Sequence, residues 1–258
     1  MNRKSIYIGC IPGATNEEKF ANAAKAGFAA IEPSGVATDE ERAALKALYE
    51  KYNIVCPSVM TAGNWQFPAS SPDAEAREKA AQCFRNAILT AKYLGADTIL
   101  AVPGKVDPSM CYEDSWKYSR MTIEAVIPFA KENGVIIAIE NVWNKFLLSP
   151  REMCEYIDSF DSEWVKAYFD VGNILLYGYP QHWIKSLGKR IQKVHIKGFK
   201  REGNQLNWVS LLKSESDWQA VMDAFKEVGY EGYLTAELSV DERGLEGMAE
   251  DIDALCAM

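Results

Sequence analysis

The chain has 258 residues, of which 48% are apolar and 25% charged, and its net charge is −8. That length and apolar share suit one large α/β barrel with an ample core. The acidic balance argues against a nucleic-acid partner, whose binding surface should be basic, though it leaves room for a small cationic pocket. The chain then reads in order as follows. Ser5 to Cys10 is a short apolar run and the first strand. Asn2-Arg3-Lys4 ahead of it faintly resembles an export signal with a lipid-attachment cysteine, but the run is shorter than the ~7–15 apolar residues such a signal needs. Thr15 or Asn16 caps a helix carrying Phe20, Ala23 and Ala24, ended by Gly27. Phe28 to Glu32 is strand two, stopped by Pro33. Thr38-Asp-Glu-Glu41 caps a second helix through Leu45, Leu48 and Tyr49. Ile54 to Met60 is strand three, and the long loop 61–71 holds Trp65, Phe67 and Pro68.

Ser71-Pro72-Asp73 opens a long amphipathic helix to Gly95, with Pro72 in its first turn. Strand four is Thr98 to Val102. A helix from about Asp114 to Glu132 follows, kinked or broken at Pro128 and capped by Asn133-Gly134. Next come strand five (Val135–Glu140), a helix from Ser149-Pro150, strand six (Val165–Asp170), a short helical region to Gly188 and strand seven (Ile191–Ile196). The loop 198–212 leads to a helix from Ser216-Asp217 to Gly229. Strand eight is Tyr233 to Leu238, and a last helix closes near Cys256.

Eight strands alternate with eight helical patterns, which implies parallel strands joined by right-handed crossovers. Eight such units in one domain spanning 1–258 predict a closed (β/α)₈ TIM barrel. An open doubly wound sheet is the alternative, but no G-x-G-x-x-G follows strand one or occurs elsewhere. No run approaches the ~18 apolar residues of a membrane span, so no membrane association is expected. The six cysteines (Cys10, Cys56, Cys83, Cys111, Cys154, Cys256) form no C-x-x-C pair. They read as reduced core residues of a cytoplasmic protein.

Four strands end on side chains that can bind a metal: Glu140, Asp170, His195 and Glu237. In a barrel of this kind the C-terminal ends of the strands converge on one face, so these four surround one centre. Any one alone is an ordinary strand-end carboxylate or core histidine; together they make a constellation. Three carboxylates and an imidazole form a hard donor set that suits one Mn²⁺ or Mg²⁺, with Co²⁺ or Zn²⁺ tolerated. His182, in the helical stretch Pro180-Gln-His-Trp-Ile184, reads as a surface or core residue.

The segments Ile139-Glu-Asn-Val-Trp-Asn144, Phe169-Asp-Val-Gly-Asn173, Val194-His-Ile-Lys197 and Ala236-Glu-Leu-Ser239 carry a resemblance. They resemble the sugar-phosphate isomerase/epimerase family, the xylose-isomerase-like TIM barrels, which includes D-tagatose 3-epimerase, L-xylulose-5-phosphate 3-epimerase and hydroxypyruvate isomerase. The resemblance implies that Glu140, Asp170, His195 and Glu237 bind one divalent metal. It also implies that Glu140 and Glu237 form the acid/base pair on opposite faces of the reacting sugar carbon. Such an ion, chelating a ketose carbonyl and its neighbouring hydroxyl, acidifies the C–H between them and stabilises the enediolate. One carboxylate removes the proton, and the other returns it from the opposite face or to the next carbon. Arg201 stands where the ketose epimerases carry an arginine that contacts substrate oxygens. Lys197 and Lys200 share its loop, a patch suited to a phosphate or carboxylate. Lys105, Asn173, Trp65, Trp116 and Trp143 complete the candidate lining. The family often forms dimers and tetramers, so a homodimer or homotetramer is the assembly the resemblance implies.

Two positions depart from the free-ketose epimerases. Asn173 stands where they have a histidine, and Phe146 where they have a glutamate. The pattern therefore fits the sugar-phosphate and broader branches better than a tagatose or psicose substrate. The expected activity is metal-dependent isomerisation or epimerisation of a ketose or ketose phosphate. A keto-polyol dehydratase and a non-catalytic sugar- or metal-binding barrel are the alternatives. A DNA-repair endonuclease on the same barrel would need several more histidines than the two present.

Overall fold

The computed structural model describes residues 4–258, so Asn2 and Arg3 of the N-terminal run lie outside the described residues. The barrel strands and helices alternate in chain order. They are β1 (Lys4–Tyr7), α1 (Asn16–Lys25), β2 (Ala30–Glu32), α2 (Asp39–Tyr52), β3 (Val59–Met60), α3 (Ala74–Leu94), β4 (Thr98–Ala101), α4 (Tyr112–Glu124) and α5 (Ile127–Asn133). Then follow β5 (Ile136–Glu140), α6 (Pro150–Asp158), β6 (Val165–Asp170), α7 (Val171–Ile174), α8 (Pro180–Leu187) and β7 (Ile191–Ile196). The chain finishes with β8 (Gly198–Glu202), β9 (Gln205–Val209), α9 (Trp218–Val228), β10 (Leu234–Ala236) and α10 (Gly244–Ala257).

Eight parallel strands make one sheet in the order β2-β1-β10-β7-β6-β5-β4-β3. Bridges from Ala30 to Val55 and from Ser34 to Met60 draw its two edges together into a nearly closed barrel. Side-chain alternation then decides what faces where. Ile137, Ile139, Phe169, Val194 and Ala236 pack outward into the core beneath the helices. Their neighbours Ala138 and Tyr168 join Leu100, Val102 and Val142 in a second cluster. The same parity places Glu140, Asp170, His195 and Glu237 with that second set, at the C-terminal mouth.

Helix starts follow local side-chain chemistry. Thr15 with Glu18, Thr38 with Glu41, and Ser149 with Glu152 form reciprocal capping boxes. Three expectations change. Strand three shrinks from Ile54–Met60 to Val59–Met60, with Val55 making a single bridge; Pro57 has no amide proton to offer a ladder. Pro72 lies before α3 rather than in its first turn, because Asp73 accepts the Glu75 amide and caps the helix one residue later. The helix expected from Asp114 to Glu132 with a kink or break at Pro128 is indeed broken: α4 ends at Glu124, and Pro128 sits in the first turn of α5, where a missing N–H costs nothing. The loop 198–212 contains an antiparallel hairpin, β8–β9, outside the barrel sheet. The cysteines also differ from expectation. Cys56 is buried, but Cys111 and Cys256 are exposed. Cys111 instead caps α4, its sulfur accepting the Asp114 amide at 3.4 Å.

Gly35 sits at the barrel seam, where its amide donates to Met60 O at 2.8 Å. A Cβ there would lie 2.9 Å from Cα of Ala87 on α3, a backbone atom that cannot yield cheaply. Gly35→Ala is therefore expected to destabilise the fold by about 1–3 kcal/mol, read as a lower urea midpoint at unchanged slope.

Candidate active site

The strand tips meet as the parity argument requires. Glu140, Asp170, His195 and Glu237 each present one ligand atom, and these atoms all lie within 4.8 Å of one another. A six-coordinate ion with bonds of about 2.1 Å separates opposite ligands by about 4.2 Å, so small side-chain adjustments suffice to close the cage. Asp170 and His195 are fully buried, Glu140 is 5% exposed, and the Glu237 side chain 23%. Two carboxylate oxygens, Asp170 Oδ2 and Glu237 Oε2, are buried without a hydrogen bond. Both make close ionic contacts with Lys197 Nζ, at 3.0 and 2.7 Å. Hard carboxylate oxygens crowded beside an imidazole nitrogen are the donor set of a divalent cation. The residues therefore fit the metal that the resemblance implies.

His195 is held from both sides. Its Nδ1 faces the cage, 3.1 Å from Glu237 Oε2 and 3.3 Å from Glu140 Oε1. Its Nε2 lies 2.7 Å from Glu32 Oε2. Glu32 is fully buried, and its other oxygen accepts hydrogen bonds from Tyr168 Oη at 2.8 Å and Ser58 Oγ at 2.7 Å. A carboxylate behind a ligating imidazole fixes which nitrogen carries the proton and how the ring points. Sequence reading missed Glu32, although the rule that found the other four applies to it: strand two ends on this carboxylate. Asn141 was also missed as a functional residue. Its side chain accepts the Asp170 amide at 2.9 Å and donates to the Asp170 carbonyl at 2.8 Å, pinning the tip of β6 to the tip of β5.

The electrostatics separate the two glutamates. Burial pushes the Glu140 carboxyl up to about 7. Burial acts the same way on Glu237, but His195 and Lys197 hold it down at about 2. Burial raises Asp170 too. His195 is disfavoured as a cation by burial, yet Glu32 and Glu237 carry it well above its ordinary range.

The remaining candidates divide. Asn173, Trp65, Trp143 and Lys197 line one cavity of about 210 Å³ together with Glu140 and Glu237. The Asn173 amide donates to Asp170 Oδ1 at 2.8 Å, and its carbonyl accepts from Trp143 Nε1 at 2.8 Å. The cationic patch does not assemble. Lys200 pairs with Glu202 on the hairpin. Arg201 donates to the Leu176 carbonyl at 3.0 Å and lines a different cleft with Tyr177, Tyr179 and Glu215. Lys105 is bound to Asp107 at 2.8 Å. Trp116 packs against Tyr156 and Phe146 between α4 and α6, away from the mouth. Phe146 is thereby a buried member of an aromatic cluster, 1% exposed. His182 is exposed on α8.

Glu32→Gln is expected to weaken Mn²⁺ binding about 10–100-fold, measured by calorimetric titration, because the imidazole loses its orienting carboxylate. Metal affinity is also expected to depend on pH with a definite sign. Below about 7 Glu140 carries a proton that must leave before it can ligate. Affinity should therefore fall as pH is lowered, by about tenfold per unit for each proton displaced, and titrations in buffers of different ionisation enthalpy should show proton release.

Comparison with known proteins adds the family. A Methanocaldococcus jannaschii protein, MJ1311, is 23% identical over 176 residues, a match covering 66% of this chain and 60% of that protein. An Escherichia coli K12 protein provisionally named L-ribulose-5-phosphate 3-epimerase SgbU is 25% identical over 256 residues, covering 92% of this chain and 88% of its own. The crystal structure of a D-tagatose 3-epimerase-like protein superposes with a TM-score of 0.85 at 18% identity, over 99% of this chain and 97% of that one. The family model described as xylose isomerase-like TIM barrel matches residues 20–258, and the chain belongs to that family.

Proposed function

We propose that the protein is a divalent-metal-dependent epimerase or isomerase of a ketose sugar, with Glu140 and Glu237 as its acid/base pair. The observation that carries this reading is the cage itself: Glu140, Asp170, His195 and Glu237 bring their ligand atoms within 4.8 Å of one another and set two glutamates beside one candidate metal position. The names of its relatives, a ribulose-5-phosphate and a tagatose 3-epimerase type, support the same class.

Glu140, Asp170, His195 and Glu237 would hold the ion, and the oxygen-rich set favours Mn²⁺. Such an ion supplies Lewis-acid polarisation of a substrate carbonyl and its neighbouring hydroxyl. Glu237, ionised in the protein, is the group ready to accept a proton at its carboxylate. Glu140, ionised once it ligates, is the second carboxylate that can take up or return a proton. Lys197 Nζ, between Asp170 and Glu237, holds those two carboxylates in place. Trp65, Trp143, Val142 and Met60 line the cavity beside the cage. A cytoplasmic location and a homodimeric or homotetrameric assembly belong to the same reading.

The test is deuterium wash-in. Mn²⁺-loaded protein in D₂O is incubated with ketoses and ketose phosphates, and the C2 and C3 protons are followed by NMR. Exchange at one carbon is expected, with Glu140→Gln and Glu237→Gln each lowering it about 10²–10⁴-fold at Mn²⁺ concentrations that saturate each variant. Net loss of water from the sugar in place of exchange would instead indicate a dehydratase.

A further inference from the structure

Among the described residues, two cavities at the mouth of the barrel share one boundary. The first, of about 210 Å³, contains Glu140 and Asn173. The second, of about 480 Å³, is lined by Tyr7, Cys10, Trp208, Ser210, Ser239 and Asp241. Lys197 and Glu237 line both. A stacked pair of indoles spans the same divide: Trp143 lines the first lobe and Trp208 the second, with ring centroids 5.0 Å apart and planes 19° from parallel.

Trp208 comes from the hairpin, and Phe199, opposite it in the ladder, supports its ring at 5.7 Å. Both indoles are open to solvent, Trp143 by 39% and Trp208 by 46%. A rigid, half-exposed aromatic stack beside a catalytic cage is a platform for the apolar face of a sugar ring, with the hydroxyl edges left to polar neighbours. The second lobe supplies such neighbours in Ser210, Ser239 and Asp241. Among the described residues, it supplies no cation without a carboxylate partner. Lys197 is engaged by Asp170 and Glu237, and Arg243, beside the lobe, by Asp241 and Asp251. A phosphate placed there would meet the Asp241 and Glu237 carboxylates without a partner. The lobe is also more than twice the volume of the one that would hold the reacting sugar.

Building on the epimerase reading, we infer that the substrate is a neutral two-unit sugar: a keto-sugar unit reacts beside Glu140 and Glu237, and a second, uncharged ring occupies the lobe between Trp208 and Asp241. The second ring is then a source of binding energy remote from the reacting carbon, of the kind that raises kcat/KM.

The experiment compares three probes on the Mn²⁺-loaded enzyme: a keto-disaccharide, the keto-monosaccharide that forms its reacting unit, and the phosphate ester of that monosaccharide. Proton exchange is expected to show a kcat/KM for the disaccharide about tenfold above the monosaccharide, the worth of one ring stacked on an aromatic face, with the phosphate lowest. Trp208→Ala, and Ser239→Trp, which fills the lobe from an exposed position, should each collapse the disaccharide-to-monosaccharide ratio towards one. Preference for the phosphate, or an unchanged ratio in both variants, would overturn the inference and leave the epimerase reading standing. Should none of the three probes exchange, the epimerase reading fails. The lobe's assignment is then decided by calorimetry: disaccharide binding that Trp208→Ala abolishes sustains it, and disaccharide binding that persists in that variant, or is absent altogether, overturns it.

Discussion

The contact between His195 and Glu32 is the one on which the rest of the site depends. At 2.7 Å it fixes the imidazole from behind, so that Nδ1 points at the carboxylates in front. Everything around it serves that geometry. Tyr168 and Ser58 anchor Glu32, and the Tyr168 ring lies 4.5 Å from the imidazole. The barrel's closure matters for the same reason, because Glu32 arrives on β2 and His195 on β7, with β1 and β10 between them. A carboxylate delivered across that distance holds its place only if the intervening strands hold theirs.

Four buried or largely buried carboxylates face one imidazole and one ammonium here, an arrangement short of positive charge. Buried like charges are costly unless compensated, and a divalent cation is the compensation such a cage is shaped for. Lys197 supplies part of it from the protein itself. Its position is set tightly: a Cβ on Gly172 would come within 2.5 Å of the Lys197 Cβ and 2.9 Å of its carbonyl. The glycine in Asp170-Val-Gly-Asn173 thus lets the tip of β6 and the chain leaving β7 approach closely enough for one ammonium to touch two carboxylates.

The barrel was legible because its signals are local and repeated. Alternating strands and helices, with a capping residue before most helices, carry the architecture without reference to any distant contact. The convergence of Glu140, Asp170, His195 and Glu237 was legible for a related reason, since strand ends in a parallel barrel share a face. Glu32 satisfied the same rule yet escaped, because its role lies in pairing with a histidine 163 residues away, which no local pattern encodes. The proximity of Lys197, Lys200 and Arg201 in sequence suggested one cationic patch. The hairpin that begins at Gly198 carries the last two away from the first, and the hairpin itself was read as loop. Trp208 went unremarked in sequence for the same reason: only the ladder pairing with Phe199 places it against Trp143.

That hairpin stands outside the barrel sheet and contributes none of the four cage residues. It is joined to the core through short links at either end, between the strand that carries His195 and the segment leading to α9. The four cage residues and the Trp208 wall of the mouth therefore sit on separate pieces of the chain. Lengthening, shortening or exchanging residues 199–209 would redraw the outer wall of the mouth while the ligands keep their positions. A barrel built this way can be retargeted by editing one ribbon, a route open to protein engineering and, over longer times, to divergence among its relatives.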